Sequence, residues 1–449
     1  MLKLSLPHTQ QISQFSRLQA SKDPEHKDFQ MLLQNLTENK LFQFHLGCKE
    51  KELRSKRDLR LLLKTIENQY LVQLATHKFS FLDTIKIGWY LPGFAIAPII
   101  KQVIPYLLQR PAQVKHLELN VDRWLPKSAL IYLVSWTTLE SLTLRGIKIV
   151  THSGSEPLSK SNEFDLENII EIVPEISPTL TSLSLIDCDI RTHHITRLCE
   201  FLKKKRNLKL LNLRLNRDIN GGWEELLSLN VPVLNLSLCD MNSDDGRQLT
   251  SGLRGKSTLK HLNLSGNYRL THAIPELVQV VSTNGLVELD CSYCEIDDET
   301  QSEVFRILAE EQNCQLRSLK MQGVIIEDTE PLINCIYKNT SLQRLILNHP
   351  KNKYIFLKSA SVKRVLQAIK ENYFLHTFQV NVRSRDQHLL NQMEFWFQLN
   401  RCGRSILYEG PSKVQQRDIK PWTTVLDNAS KAGDVELMYW LVRHGAGLF

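Results

Sequence analysis

Apolar residues recur along the chain in one local order: leucine or valine, two residues, leucine, one residue, leucine. The blocks begin at Leu82 (LDTIKI), Val114 (VKHLEL), Leu139 (LESLTL), Leu180 (LTSLSL), Leu208 (LKLLNL) and Val231 (VPVLNL). They continue at Leu259 (LKHLNL), Leu286 (LVELDC), Leu316 (LRSLKM), Leu342 (LQRLIL) and Leu375 (LHTFQV), with a mean step near 29 residues. Each block alternates as a short strand with one buried face does. Between blocks the period changes to that of an amphipathic helix. Residues 192–207 place Ile195, Leu198, Phe201 and Leu202 on one face, residues 297–313 do so with Val304, Ile307 and Leu308, and 361–372 follow suit.

One strand and one helix cannot bury their apolar faces alone. Stacked, they build a continuous core with parallel strands on the concave side and helices on the convex side. The expected fold class is therefore α/β, a curved solenoid with helical caps at both ends. Residues 1–78 form an N-terminal helical cap or degenerate first repeats, with 49–75 helical and LFQFHL (41–46) a degenerate strand. Residues 79–408 form the array, and 409–449 a linker and a helical C-terminal segment. The longest step, from Leu139 to Leu180, contains the polar stretch THSGSEPLSKSNE (151–163), which predicts a projecting loop.

The fuller pattern L-x-x-L-x-L-x-x-N/C-x-L runs through 180–296. Its Asn/Cys position alternates: Cys188, Asn216, Cys239, Asn267, Cys294. On these residues the chain resembles leucine-rich repeat proteins of the ribonuclease-inhibitor-like subclass. The resemblance covers about 82–407 and implies fold far more than function. The ladder residues are expected to satisfy turn carbonyls that the stack would otherwise bury without partners. Residues 424–449 resemble a single ankyrin repeat at Leu426, Ala429, Gly433, Leu441 and His444-Gly445-Ala446, with Val425 and Asp427 where that family has Pro and His. The apolar face of this segment is expected to hold Leu426, Val435, Leu437, Leu441 and Val442 and to dock on the end of the array.

Composition removes several function classes. The net charge of +8 comes from cations interspersed with nearly as many carboxylates, which is not a nucleic-acid pattern. LKKKRNLK (202–209) reads as a solvated helix end. No apolar run suits a signal peptide or a membrane span, and the nine cysteines lack paired spacing. The expectation is an intracellular chain, cytoplasmic with the nucleus as alternative, carrying reduced thiols. No phosphate loop, metal-protease helix or nucleophile elbow appears, and no cofactor or metal is expected. His193 and His194 lie near Cys188 and Cys199, but adjacent histidines point to different helix faces.

Register then selects outward positions on the concave face. These are Leu210, Val233, His261 and Glu288 before the second leucine, and Asp187, Leu215, Leu238, Gly266 and Tyr293 before the ladder residue. Leu210, Leu215, Val233 and Leu238 should form an apolar cluster with charged neighbours Arg145, Asp187, Arg214, Glu288 and Asp290. The expected function is a non-enzymatic scaffold, monomeric alone, that binds a protein partner through this face. The resemblance leaves a GTPase-activating or other regulatory protein, a pathogen effector or an immune-type sensor as alternatives.

Overall fold

The computed structural model describes residues 2–5, 43–46, 84–87, 115–120, 138–146, 177–254, 258–350, 356–404, 419–433 and 435–445. The helical reading of 49–75 and the stretch 151–163 lie outside the described residues. The chain divides into two compact units, Met1–Cys239 and Asp240–Phe449.

The first unit contains β1 (Leu2–Ser5), β2 (Gln43–Leu46), β3 (Thr84–Ile87), β4 (His116–Asn120), β5 (Ser141–Arg145), β6 (Ser182–Ile186), β7 (Leu210–Asn212) and β8 (Val233–Asn235). Successive strands from β2 through β8 pair in parallel within this unit. β1, which the repeat pattern does not contain, pairs antiparallel with β2. Helices α1 (Thr192–Leu202) and α2 (Trp223–Ser228) follow β6 and β7. The brevity of α2, six residues, matches the shortest step in the series, from Leu208 to Val231.

The second unit repeats the scheme with β9 (His261–Asn263), β10 (Glu288–Asp290), β11 (Ser318–Lys320), β12 (Arg344–Ile346) and β13 (Thr377–Gln379), successive strands within it pairing in parallel. Its helices are α3 (Ser243–Leu253), α4 (Ile274–Thr283), α5 (Asp298–Glu310), α6 (Glu330–Lys338), α7 (Ser359–Glu371), α8 (Gln387–Arg401), α9 (Ile419–Ala432) and α10 (Val435–Gly445). Parallel strands alternating with helices make this a leucine-rich repeat architecture of the α/β class. Every one of the eleven blocks begins two residues before a strand. Among the described residues, no helix is long and apolar enough to cross a membrane.

The core follows from the alternation. Leu183 and Leu185, Leu211 and Leu213, and Leu262 and Leu264 point inward from their strands and are buried, as are Ile195, Leu198 and Leu202 of α1. Phe305, a large side chain the periodicity does not single out, is fully buried on α5 beside Val304 and Leu308. Local chemistry starts the helices. Asn242 accepts from the amides of Asp244 and Asp245 ahead of α3, and Asp297 accepts from Thr300 ahead of α5.

Polar side chains knit successive repeats together. The Asn216 amide nitrogen donates to the carbonyls of Leu185 (2.8 Å) and Leu213 (2.6 Å). Its oxygen accepts from the amides of Cys188 (2.9 Å) and Ile190 (3.1 Å). Asn267 likewise donates to Leu264 and accepts from Met241. The thiols of Cys188, Cys239 and Cys294 each point back one repeat, to the carbonyls of Leu144, Leu213 and Leu264 at 3.3–3.5 Å. Burial pushes the Cys239 and Cys294 thiols up to about 12, which keeps their protons in place as donors.

A second asparagine column, not visible as a motif, runs behind the helix ends. Asn339 joins Leu308 to Leu342, Asn372 joins Ile336 to Leu375, and Asn400 donates to the Leu375 carbonyl at 2.7 Å. Arg404 closes this column. Its guanidinium lies 4.1 Å from the Tyr373 ring and 4.7 Å from the Trp396 ring, and donates to the Lys370 carbonyl at 2.6 Å.

Beyond it, Val425 and Ala429 of α9 and Leu437 and Leu441 of α10 form one buried cluster with Leu399 and Cys402. Asn428 donates to the Cys402 carbonyl at 3.0 Å. Two residues assigned to this buried face by sequence are corrected: Val435 is 81% exposed and Val442 52%. With Leu437 and Leu441 turned inward, positions 435, 439 and 442 fall on the opposite side of the helix. Truncation after Glu409 strips the cover from Leu399 and Cys402. It should lower the melting temperature and promote aggregation in light scattering; unchanged melting would show that the helical pair contributes nothing to the array.

Candidate functional site

The face of the sheet opposite the helices carries the outward strand positions, and the turn that follows each strand sets what else reaches it. The turn is built the same way in repeat after repeat. Asn212, Asn235, Asn263 and Asp290 each accept, through the side-chain oxygen, a hydrogen bond from the amide two residues on. These Asx turns reverse the chain as it leaves the strand. The third residue after each of them, immediately before the ladder residue, has positive φ: Leu215 (66°), Leu238 (59°), Gly266 (75°) and Tyr293 (57°). Gly146, Asp187 and Gly323 have positive φ too, at the equivalent place in their repeats.

Within each unit the amides of these residues bond to the next repeat. Asp187 donates to Arg214, Leu215 to Ser237, Gly266 to Ser292, Tyr293 to Gln322 and Gly323 to Asn348, at 2.7–3.3 Å. Each acceptor lies just before the left-handed residue of the next repeat, or at the matching place. Glycine takes this conformation without strain and aspartate tolerates it, whereas leucine and tyrosine pay about 1 kcal/mol or more. Sequence reasoning treats these positions as strand-like and outward. They are turn positions, and Leu215 and Leu238 sit there against backbone preference.

In the first unit, Leu210 and Val233 are register partners on adjacent strands. They and the turn residues Leu215 and Leu238 are all half-buried. Around them the outward strand positions are neutral: Ser182, Ser184, Asn212 and Asn235. Arg145 and Arg214 are exposed, and Asp187 is half-buried in its turn.

His261, Glu288, Asp290 and Tyr293 lie in the second unit, where the character of the face is different. Glu288 Oε2 lies 3.3 Å from His261 Nδ1, and Glu288 Oε1 pairs with Lys320 Nζ. Asp290 Oδ2 lies 3.9 Å from the same ammonium. Burial pushes the Glu288 carboxyl up, but Lys320 and then His261 outweigh it and hold the group below its ordinary value. The cation of this network, Lys320, was absent from the sequence-derived site. Its signal was the register itself, since it pairs with Asp290 across β10 and β11.

The Tyr293 ring lies over Gly323, where an added Cβ would come within 2.9 Å of Cδ1. It reaches His349 edge-on, with ring centroids 6.1 Å apart. A side chain at residue 323 would therefore displace the ring as well as strain the turn.

His194 accepts from the Arg191 amide at 3.1 Å and so caps α1. Among the described residues, no group of His, Cys, Asp or Glu is placed to hold a metal ion.

No family model matches the chain. Among solved structures, the leucine-rich repeat-containing protein LegL7 from Legionella pneumophila is similar at 16% identity, over 61% of this chain and 85% of that one, with a TM-score of 0.41. Actin-binding site 2 of leiomodin-1 is similar at 9% identity, over 37% of this chain and 94% of that one, with a TM-score of 0.31.

The Glu288 network has a pH signature. A carboxylate held below its free value of about 4.3 stabilises the fold fully above that value and loses the contribution as pH falls through its folded value. Urea midpoints of wild type and Glu288→Gln should differ most near neutrality and converge in acid. A gap that widens on acidification would contradict the pairing.

Proposed function

We propose that the chain is a non-catalytic protein-interaction module that seats a partner on the open sheet face of its first unit, centred on Leu210, Leu215, Val233 and Leu238. One observation carries this reading: two consecutive repeats hold an aliphatic leucine in a left-handed turn position where the other described repeats use glycine, aspartate or, once, tyrosine. Strain kept in place at a half-exposed apolar side chain marks a site under demand from something other than the fold. The Ser and Asn residues at the adjoining strand positions carry no charge to desolvate on contact, and the charged neighbours are Asp187 and Arg214 in the turns. An apolar centre within a polar surround matches the anatomy of protein–protein hot spots.

Leu215→Asn with Leu238→Asn separates binding from folding, because asparagine tolerates positive φ. The double variant should melt within a few degrees of wild type. In quantitative pull-downs from the native extract it should lose, by roughly tenfold or more, the partner that wild type captures. Equal capture by both proteins would remove the patch from the interface.

A further inference from the structure

The second unit has a cleft at the edge where the chain enters its strands. Its volume is about 490 Å³, and Lys260, Gln315, Arg317, Thr340, Ser341 and Gln343 supply its polar lining. No carboxylate lines it. Lys260 and Arg317 stand immediately before β9 and β11, and both are exposed. Lys260 Nζ donates to the Gly285 carbonyl at 3.1 Å, which holds its ammonium at the rim. The Arg317 guanidinium forms no hydrogen bond or ion pair among the described residues.

The usual reason for cations near helix ends is the set of unpaired carbonyls there. Lys260 serves one such carbonyl, that of Gly285 just past α4, whereas the Leu308 carbonyl at the end of α5 accepts from Asn339 and does not call on Arg317. The walls are rigid. Val287 donates to the Lys260 carbonyl, and Gln343 to the Arg317 carbonyl, both at 2.8 Å. The Lys260 ammonium and the Arg317 guanidinium, with the amide groups of Gln315 and Gln343 in the same lining, present donors to an oxyanion. Lys260, Gln315, Arg317 and Thr340 are all exposed, so the cleft stays open and cannot enclose a small molecule as ligand pockets do.

We propose that this cleft docks a glutamate- or aspartate-bearing segment of a protein partner, with Lys260 and Arg317 as the charge-reading residues. The proposal rests on the protein-binding reading above but uses a separate surface, so it can fail without that patch failing.

The test is fluorescence anisotropy of the full chain with a labelled oligo-glutamate peptide at low salt, with oligo-glutamine as control. Oligo-glutamate should bind, oligo-glutamine should not, and added salt should weaken the complex. Lys260→Glu with Arg317→Glu should reduce affinity by on the order of tenfold or more. Lys358→Glu with Lys363→Glu, the same charge change on exposed residues at the start of α7, should leave affinity near wild type. Absence of binding, or equal loss in both double variants, would overturn the proposal. So would displacement of the peptide by inorganic phosphate at peptide-like concentrations, since the cleft would then be a free-anion site.

Discussion

The side-chain amide of Asn216 is the contact on which the repeat geometry depends. It is fully buried and serves four backbone groups, two in its own or the adjoining strand end and two in the turn of the preceding repeat. Cys188 and Ile190 both aim their amides at one oxygen because Asp189 between them has positive φ (52°). Asp240 and Glu295 have positive φ immediately after Cys239 and Cys294 as well, while Asn216 and Asn267 are not followed by such a residue. The alternation of Cys and Asn thus has a physical cause. A cysteine repeat turns twice through the left-handed region, and after Cys188 and Cys239 the asparagine of the next repeat accepts from the amides that result, whereas Val324 follows the Cys294 turn. An unpaired buried amide or carbonyl costs about 1–3 kcal/mol, which Asn216 avoids at the Cys188 turn.

That constraint also explains the face available for binding. Once the turn geometry is imposed, the residue before each ladder position must accept positive φ, and only its side chain remains to vary. Glycine at 266 and 323 relieves the backbone, and at 323 it makes room for the Tyr293 ring. Leucine at 215 and 238 does the reverse. In the second unit, variation at outward strand positions instead produced an internal ion network, in which Lys320 holds Glu288 and lies near Asp290. Charges satisfied within one protein offer less to a partner than uncommitted ones such as Arg317.

The strand series was legible because leucine spacing responds to one demand, burial, and each block begins two residues before its strand. The sign of φ at Leu215 and Leu238 was not legible, since leucine in a left-handed turn contradicts local preference and only the stacked neighbours enforce it. Asn212, Asn235 and Asn263 looked like ordinary polar strand residues. Their Asx turns become apparent once the chain reverses behind them. The Asn339, Asn372 and Asn400 column was hidden for a different reason: its members are fixed to helix ends, and helix length changes from repeat to repeat. On α10, the apolar residues were identified, but the split between inward Leu437 and Leu441 and outward Val435 and Val442 depended on where α8 lies.

Amide hydrogen exchange at Cys188 and Ile190, compared between wild type and Asn216→Ala, tests the role of this asparagine most directly. In wild type both amides should be strongly protected, because each donates to a fully buried oxygen. In the variant both should lose protection by on the order of tenfold or more, while strand amides such as Leu210, bonded to Thr181, stay close to their wild-type rates. Unchanged protection at Cys188 and Ile190 would show that the turn holds itself without the asparagine.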